Sequence, residues 1–194
     1  MSVETDSVDL VDDAVVRNVA RAGVFAALTG AFAYVSFPHP LTSVPVTLQV
    51  LGVFLAGIFL GPVWGFLSMA IYLAAGVVGA PVFAFGGAGL GVVVSNLGGY
   101  LVSYPFAAGL LGFVVHGWNE RRDPAQVPTW RLVTGMVLAT VVVYAFGTVG
   151  FAVAGKVGLW EAFLLASAPF VPVEFLKMVA ALGVVRSDAV SVEG

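Results

Sequence analysis

Residues 46–78 read VTLQVLGVFLAGIFLGPVWGFLSMAIYLAAGVV: two apolar runs, Val46 to Leu60 and Val63 to Val78, broken at Gly61-Pro62 and free of acids and bases. Each run is shorter than the ~20 residues that a perpendicular membrane-spanning helix needs. Lipid cannot satisfy backbone groups freed by such breaks, so broken apolar segments persist at bilayer depth only where protein packs on them or where they line a cavity. The stretch therefore predicts two short spans beside a binding site.

The flanking sequence extends this reading. No Asp, Glu, Lys or Arg occurs from Ala22 to Asn119, and of the 194 residues 60% are hydrophobic and 10% charged, with a mean hydropathy of +1.03. Soluble domains carry roughly 45–50% apolar and about 25% charged residues, so polar groups here are too few to cover a water-facing surface. The expected fold is an all-α integral membrane protein, a compact bundle of about six transmembrane helices. The first span is placed at Val19 to Phe37, stopped by Pro38-His39-Pro40, where proline forbids a continuing helix. The two short spans follow, then spans at Val92 to Val115 and Leu132 to Ala154. An interfacial helix from Leu159 to Ala168 precedes a last helix from Pro172 to Val185. The domain layout is an acidic cytosolic tail (1–18), one transmembrane domain (19–186) and a cytosolic tail (187–194).

Arg17, Arg21, Arg121, Arg122, Arg131 and Arg186 fall on one side of this topology and Lys156 on the other. Basic loops stay cytosolic, so both termini are expected inside a multi-pass plasma-membrane protein. The Pro38-to-Pro45 loop, the Gly-rich Phe83-to-Gly91 loop and the start of the last helix then meet on the outer face. The acidic N-terminus lacks the basic start of a secretory signal. A net charge of −3 without a basic run gives no footing for nucleic acid. Without cysteine there are no disulfides and no thiol catalysis. His39 sits between prolines and His116 at a helix end, both expected at the interface. No His or carboxylate grouping has metal-ligand spacing, no Gly-x-Ser-x-Gly elbow occurs, and the Gly-rich loop lacks the Lys-Ser/Thr of a phosphate loop. Neither catalysis, a metal nor a cofactor is expected.

The polar residues that remain inside the spans are the candidates for function. Glu174 and Lys177 are three apart and share a helix face. An ion pair gluing helices is one reading, and a subsite for a small amphipathic anion with hydrogen-bond donors is the other. Asn96, Tyr100 and Tyr104 form a stripe at four-residue spacing, and Thr47 and Gln49 begin the second span. Each set serves either as interhelical glue or as pocket wall. Ala22, Ala26 and Gly30, with Gly23 and Ala27 in a parallel row, permit close helix approach, within this bundle or to a partner subunit.

Five segments, in order, carry a resemblance: Val44-Pro-Val-Thr-Leu-Gln49, Leu60-Gly-Pro-Val-Trp-Gly65, Tyr72-Leu-Ala-Ala-Gly-Val-Val-Gly-Ala-Pro-Val-Phe83, Gly98-Gly-Tyr-Leu101 and Pro169-Phe-Val-Pro-Val-Glu-Phe-Leu-Lys177. Together they resemble the BioY family, the biotin-binding membrane subunits (S-components) of energy-coupling-factor (ECF) vitamin transporters. The resemblance spans Ala22 to Gly183. It implies a six-helix bundle with an outward-opening biotin pocket capped by loops, and partnership with a transmembrane coupling subunit and cytosolic ATPases. These would dock on the small-residue face of the first helix, Ala22, Ala26 and Gly30. It further implies that Glu174 and Lys177 line the site, with Gly99, Tyr100, Thr47 and Gln49 contributing. Within that site the expectation is ureido N–H groups on Glu174 and Asn96, the carboxylate on Lys177, and ring and tail against Phe83 and Tyr100. Two positions depart from the family pattern: Ser95-Asn96-Leu97 stands before Gly98-Gly99-Tyr100, and Val173-Glu174 replaces a Gly-Asp pair, moving the carboxylate out by one methylene. A subunit for another vitamin, or a proton-coupled carrier titrating at Glu174, stands as the alternative; a membrane enzyme lacks a visible nucleophile and base.

Overall fold

The computed structural model describes residues 12–40, 42–118 and 122–187. Helix α1, Asp13–Ala33, starts before the expected Val19 because the acidic segment caps it: the Asp12 carboxylate accepts the Ala14 N–H at 2.8 Å. Asp13 lies in the first turn, where negative charge suits the helix dipole. Arg17 and Arg21 also fall in its first half, and the apolar part begins at Ala22. The helix stops short of Phe37. Instead Ser36–Phe37 (β1) pairs antiparallel with Val46–Thr47 (β2), pinching the loop between them. Thr47 thus belongs to a strand rather than to the second span.

The quoted stretch forms α2, Gln49–Val77, which is bent at Gly61 (φ 79°, ψ −173°) just before Pro62. That backbone conformation favours glycine. A straight helix rising 1.5 Å per residue would hold Gln49 and Tyr72 about 35 Å apart, yet Gln49 Nε2 donates to the Tyr72 hydroxyl at 2.5 Å. The element is therefore a helical hairpin whose arms, 49–60 and 62–77, run antiparallel. Pro62 has no N–H for the Ile58 carbonyl four residues earlier. His116 supplies the missing donor: its Nε2 reaches Ile58 O at 2.7 Å while its Nδ1 accepts the Arg122 N–H at 3.1 Å. At 2% exposure, His116 is an internal clamp on the turn rather than the interfacial residue expected. His116→Leu leaves that carbonyl buried and unpaired, a loss of about 1–3 kcal/mol. A thermal midpoint in detergent below that of wild type is the expected result; an unchanged midpoint excludes the clamp.

Chain beyond the hairpin returns through a 3-10 turn (Ala84–Gly86), a short α3 (Leu90–Val93) and α4 (Gly98–His116). The single fourth span expected from Val92 is thus interrupted at 94–97. Ser95 causes this locally: its hydroxyl donates to Val92 O at 2.7 Å and accepts the Leu97 N–H at 3.2 Å, competing with helix hydrogen bonds. Helix α5 (Thr129–Gly155) ends on Lys156 in the left-handed conformation, and α6 (Leu159–Ala166) leads into α7 (Val171–Arg186).

The hairpin is the centre of the bundle, with α1 and α4 on its flanks; α5 packs on α4, and α7 closes against α2 and α5. Four helical stretches are long and apolar enough to cross a membrane: Gln49–Val77, Gly98–His116, Thr129–Gly155 and Leu159–Arg186. With the hairpin counted as two arms and α1 added, the described residues form six principal helical segments of a multi-pass membrane protein. At the turn end, Arg186 Nη2 donates to Val127 O at 2.6 Å and Nη1 to Ala125 O, tying α7 to the connection before α5.

One expectation about α1 is corrected. Ala22, Ala26 and Gly30 face inward: the Ser68 hydroxyl donates to Ala22 O at 2.8 Å, and a Cβ on Gly30 would sit 3.1 Å from Val82 Cγ1. Their row packs the bundle, so it is not a face offered to a partner. In the apolar part of α1, from Ala22 onward, Ala27 and Ala31 are the exposed small residues, with half-exposed Gly23 on the same row and nothing near its Cβ position.

Candidate ligand-binding cavity

Opposite the hairpin turn the bundle encloses a cavity of about 560 Å³, its open mouth included. Val44 and Pro45 enter from the loop before β2, Thr47 from β2, Gln49 from the first arm, Phe83 and Ala84 from the loop after the hairpin, Tyr100, Leu101 and Tyr104 from α4, Val143 and Tyr144 from α5, Phe170 from the residue before α7, and Glu174 and Lys177 from the start of α7. The lining is mostly apolar with a few convergent polar groups, the usual make-up of a small-molecule site. Of the residues expected there, Thr47, Gln49, Phe83, Tyr100, Glu174 and Lys177 share this wall.

Lys177 Nζ lies 2.6 Å from Glu174 Oε1, and the two residues are 5% and 3% exposed. A buried pair is stable only when its remaining lone pairs and protons are satisfied as well. Here, among the described residues, Glu174 Oε2 has no hydrogen-bond partner, nor does the buried hydroxyl of Tyr144. The cavity wall thus offers one open acceptor and one open hydroxyl beside a fixed ion pair.

The mouth is braced by hydrogen bonds. Beyond accepting from Gln49, the Tyr72 hydroxyl donates to Val82 O at 2.9 Å, so the second arm holds the loop that delivers Phe83. The Phe83 ring lies edge-on to Tyr72, centroids 5.7 Å apart, and against Gly76, where a Cβ would come within 2.1 Å of it. Tyr104 stacks on the other side of Tyr72 at 6.2 Å. Thr47 Oγ1 accepts the Gln49 N–H at 3.3 Å, helping to start the first arm. The Tyr100 hydroxyl donates to Ala166 O and so anchors α6, leaving its ring to the cavity.

Two expected residues lie elsewhere. Asn96 precedes α4 because of the Ser95 break, and its Nδ2 donates to Ser43 Oγ at 3.2 Å, joining two loops outside the lining. Gly99 sits where α4 crosses α5: a Cβ there would come within 2.2 Å of Phe146 O and 3.1 Å of Gly150 Cα. Conversely, Tyr144, Val143 and Phe170 line the cavity without having stood out in the sequence. Tyr144 carried a usable signal, a phenol hydroxyl in mid-span that needs a polar partner somewhere. His39 rests over Phe170, ring centroids 5.0 Å apart, near the cavity mouth.

Known proteins are similar to this chain in sequence and in fold. The model of the BioY family matches residues 3–192. The chain is 35% identical over 183 residues to the biotin transporter BioY of Rhodobacter capsulatus, covering 89% of this chain and 93% of the relative. It is 34% identical over 180 residues to the biotin transporter BioY of Thermotoga maritima, covering 91% and 99%. A crystal structure of the S-component for biotin from an ECF-type ABC transporter matches with a TM-score of 0.78 over 91% of this chain and 93% of that one, at 21% identity, which shows a common fold. With the family match running almost end to end and full-length relatives above 30% identity, the chain belongs to the BioY family.

Proposed function

We propose that this chain is the substrate-binding S-component of an ECF-type biotin uptake system in the plasma membrane. The observation that carries the proposal is the buried Glu174–Lys177 pair, with one carboxylate oxygen unspent, on an apolar cavity wall built from broken elements. The biotin transporters of Rhodobacter capsulatus and Thermotoga maritima, to which the chain is similar, supply the ligand.

The geometry of the pair supports one orientation of biotin. Its ureido and carboxylate ends are separated by a bicyclic ring and a four-methylene tail, whereas the Glu174 and Lys177 heads are 2.6 Å apart. The pair therefore meets one end of the ligand, not both as the sequence reading assigned. Because the two charges compensate each other, the neutral ureido end is the better match: its N–H groups donate to Glu174 Oε2, a charge-assisted hydrogen bond. The carboxylate then points to the mouth, and the ring and tail lie against Phe83 and Tyr100.

The Arg residues at the hairpin-turn end support a cytosolic position for that end and, with it, for both termini. A transmembrane coupling subunit docking on α1 would use the exposed Gly23 and Ala27 row. ATP is hydrolysed on partner ATPases, and this chain contributes binding rather than catalysis.

Equilibrium dialysis of the purified protein against labelled biotin, with other vitamins as unlabelled competitors, tests the proposal. A dissociation constant below about 1 µM, displaced only by biotin-like compounds, is expected. Tight binding of another vitamin with no biotin binding refutes it.

A further inference from the structure

We propose that Tyr144 is a further ligand-binding residue, its hydroxyl donating to the carbonyl oxygen of the ligand's cyclic urea while Glu174 Oε2 receives an adjacent N–H. The inference rests on the reading of the cavity as a biotin site. Tyr144 and Glu174 project from different helices, α5 and α7, into the same cavity. The atoms at stake are the two buried side-chain polar atoms without a hydrogen bond among the described residues.

Their chemistry is complementary. A carboxylate oxygen only accepts, whereas a phenol hydroxyl can donate. A cyclic urea presents the matching face, N–H donors flanking a C=O acceptor. Two other tyrosine hydroxyls nearby are already committed, Tyr72 donating to Val82 O and Tyr100 to Ala166 O. The Tyr144 hydroxyl is buried without a hydrogen bond among the described residues, and a buried polar group left unpaired is costly. A binding site trades such a cost in stability for a hydrogen bond made to its ligand.

The test compares Tyr144→Phe with wild type on two ligands, biotin and its thiourea analogue, in which sulfur, a weak acceptor, replaces the carbonyl oxygen and both N–H groups remain. Wild type is expected to favour biotin. Tyr144→Phe is expected to bind biotin about 5- to 100-fold more weakly, to bind the analogue nearly as wild type does, and so to lose the preference. Its thermal midpoint without ligand should equal or exceed that of wild type, since no hydrogen bond is removed; a residue serving only the fold would lower it. Biotin binding unchanged in Tyr144→Phe, or an equal loss for both ligands, overturns the inference while leaving the biotin site in place. Wild-type protein that binds neither ligand overturns the biotin reading and the inference with it.

Discussion

Lys177→Met is expected to abolish measurable biotin binding and to lower the thermal midpoint by roughly 10 °C. Both effects follow from the burial of the pair, with Glu174 3% and Lys177 5% exposed and the heads 2.6 Å apart. Removing one partner strands the other charge away from water, which costs about 3–5 kcal/mol; for a chain of this size each kcal/mol moves the midpoint by about 2–4 °C. Replacing both residues has a different signature. Glu174→Leu with Lys177→Met removes the stranded charge, and apolar replacements of buried ion pairs are often neutral or stabilising by about 1–4 kcal/mol. The double variant should therefore regain wild-type stability or exceed it. Circular dichroism at the helical minimum follows the midpoint without any cysteine-reactive dye, for which this cysteine-free chain would be silent.

Gly112→Ala is expected to be nearly as damaging, by a route that involves no polar group. A Cβ at 112 would lie 2.4 Å from the Gly61 carbonyl carbon, 2.6 Å from its oxygen and 2.6 Å from Pro62 N. All three are backbone atoms of the hairpin turn, so no side chain can rotate away and α4 must separate from α2. Overpacking costs about 1–3 kcal/mol in cores that can adjust, and this contact sits at or above the upper end. The expected result is a midpoint depressed by at least ~6 °C or failure to purify as a monodisperse species. Gly183→Ala is the control: in α7, with nothing within 4 Å of its Cβ position, it should be neutral or slightly stabilising through helix propensity. Equal midpoints for the two variants would exclude the turn contact.

These two sites differ in how far the sequence disclosed them. The Gly61-Pro62 break was legible, because few other residue pairs force a helix to stop inside an apolar run, and the antiparallel arms follow once each is too short to span alone. Glu174 and Lys177 were legible as an ionic pair in apolar surroundings. What the pair faces was not, since helical spacing gives a shared face but not its neighbours. The α1 face was misassigned for a related reason. Two rows of small residues run along that helix, and only its packing against Ser68 and Val82 decides which is internal. Asn96 was placed on a helix by counting in fours, a count that the Ser95 hydroxyl interrupts. The β1–β2 ribbon is two residues per strand, below what alternation can register. Tyr144 went unnoticed because one tyrosine in a long apolar helix has no periodic partner. The role of His116 was hidden by distance, since the carbonyl it serves lies 58 positions away.

Whether the buried pair holds a ligand or only joins helices is decided most directly by titrating labelled biotin into the Glu174→Leu, Lys177→Met double variant, once its thermal midpoint is shown to match wild type. No binding at concentrations that saturate wild type is the expected outcome. Saturation with the wild-type dissociation constant would contradict it, because the cavity would then recognise biotin without the residues held to define it.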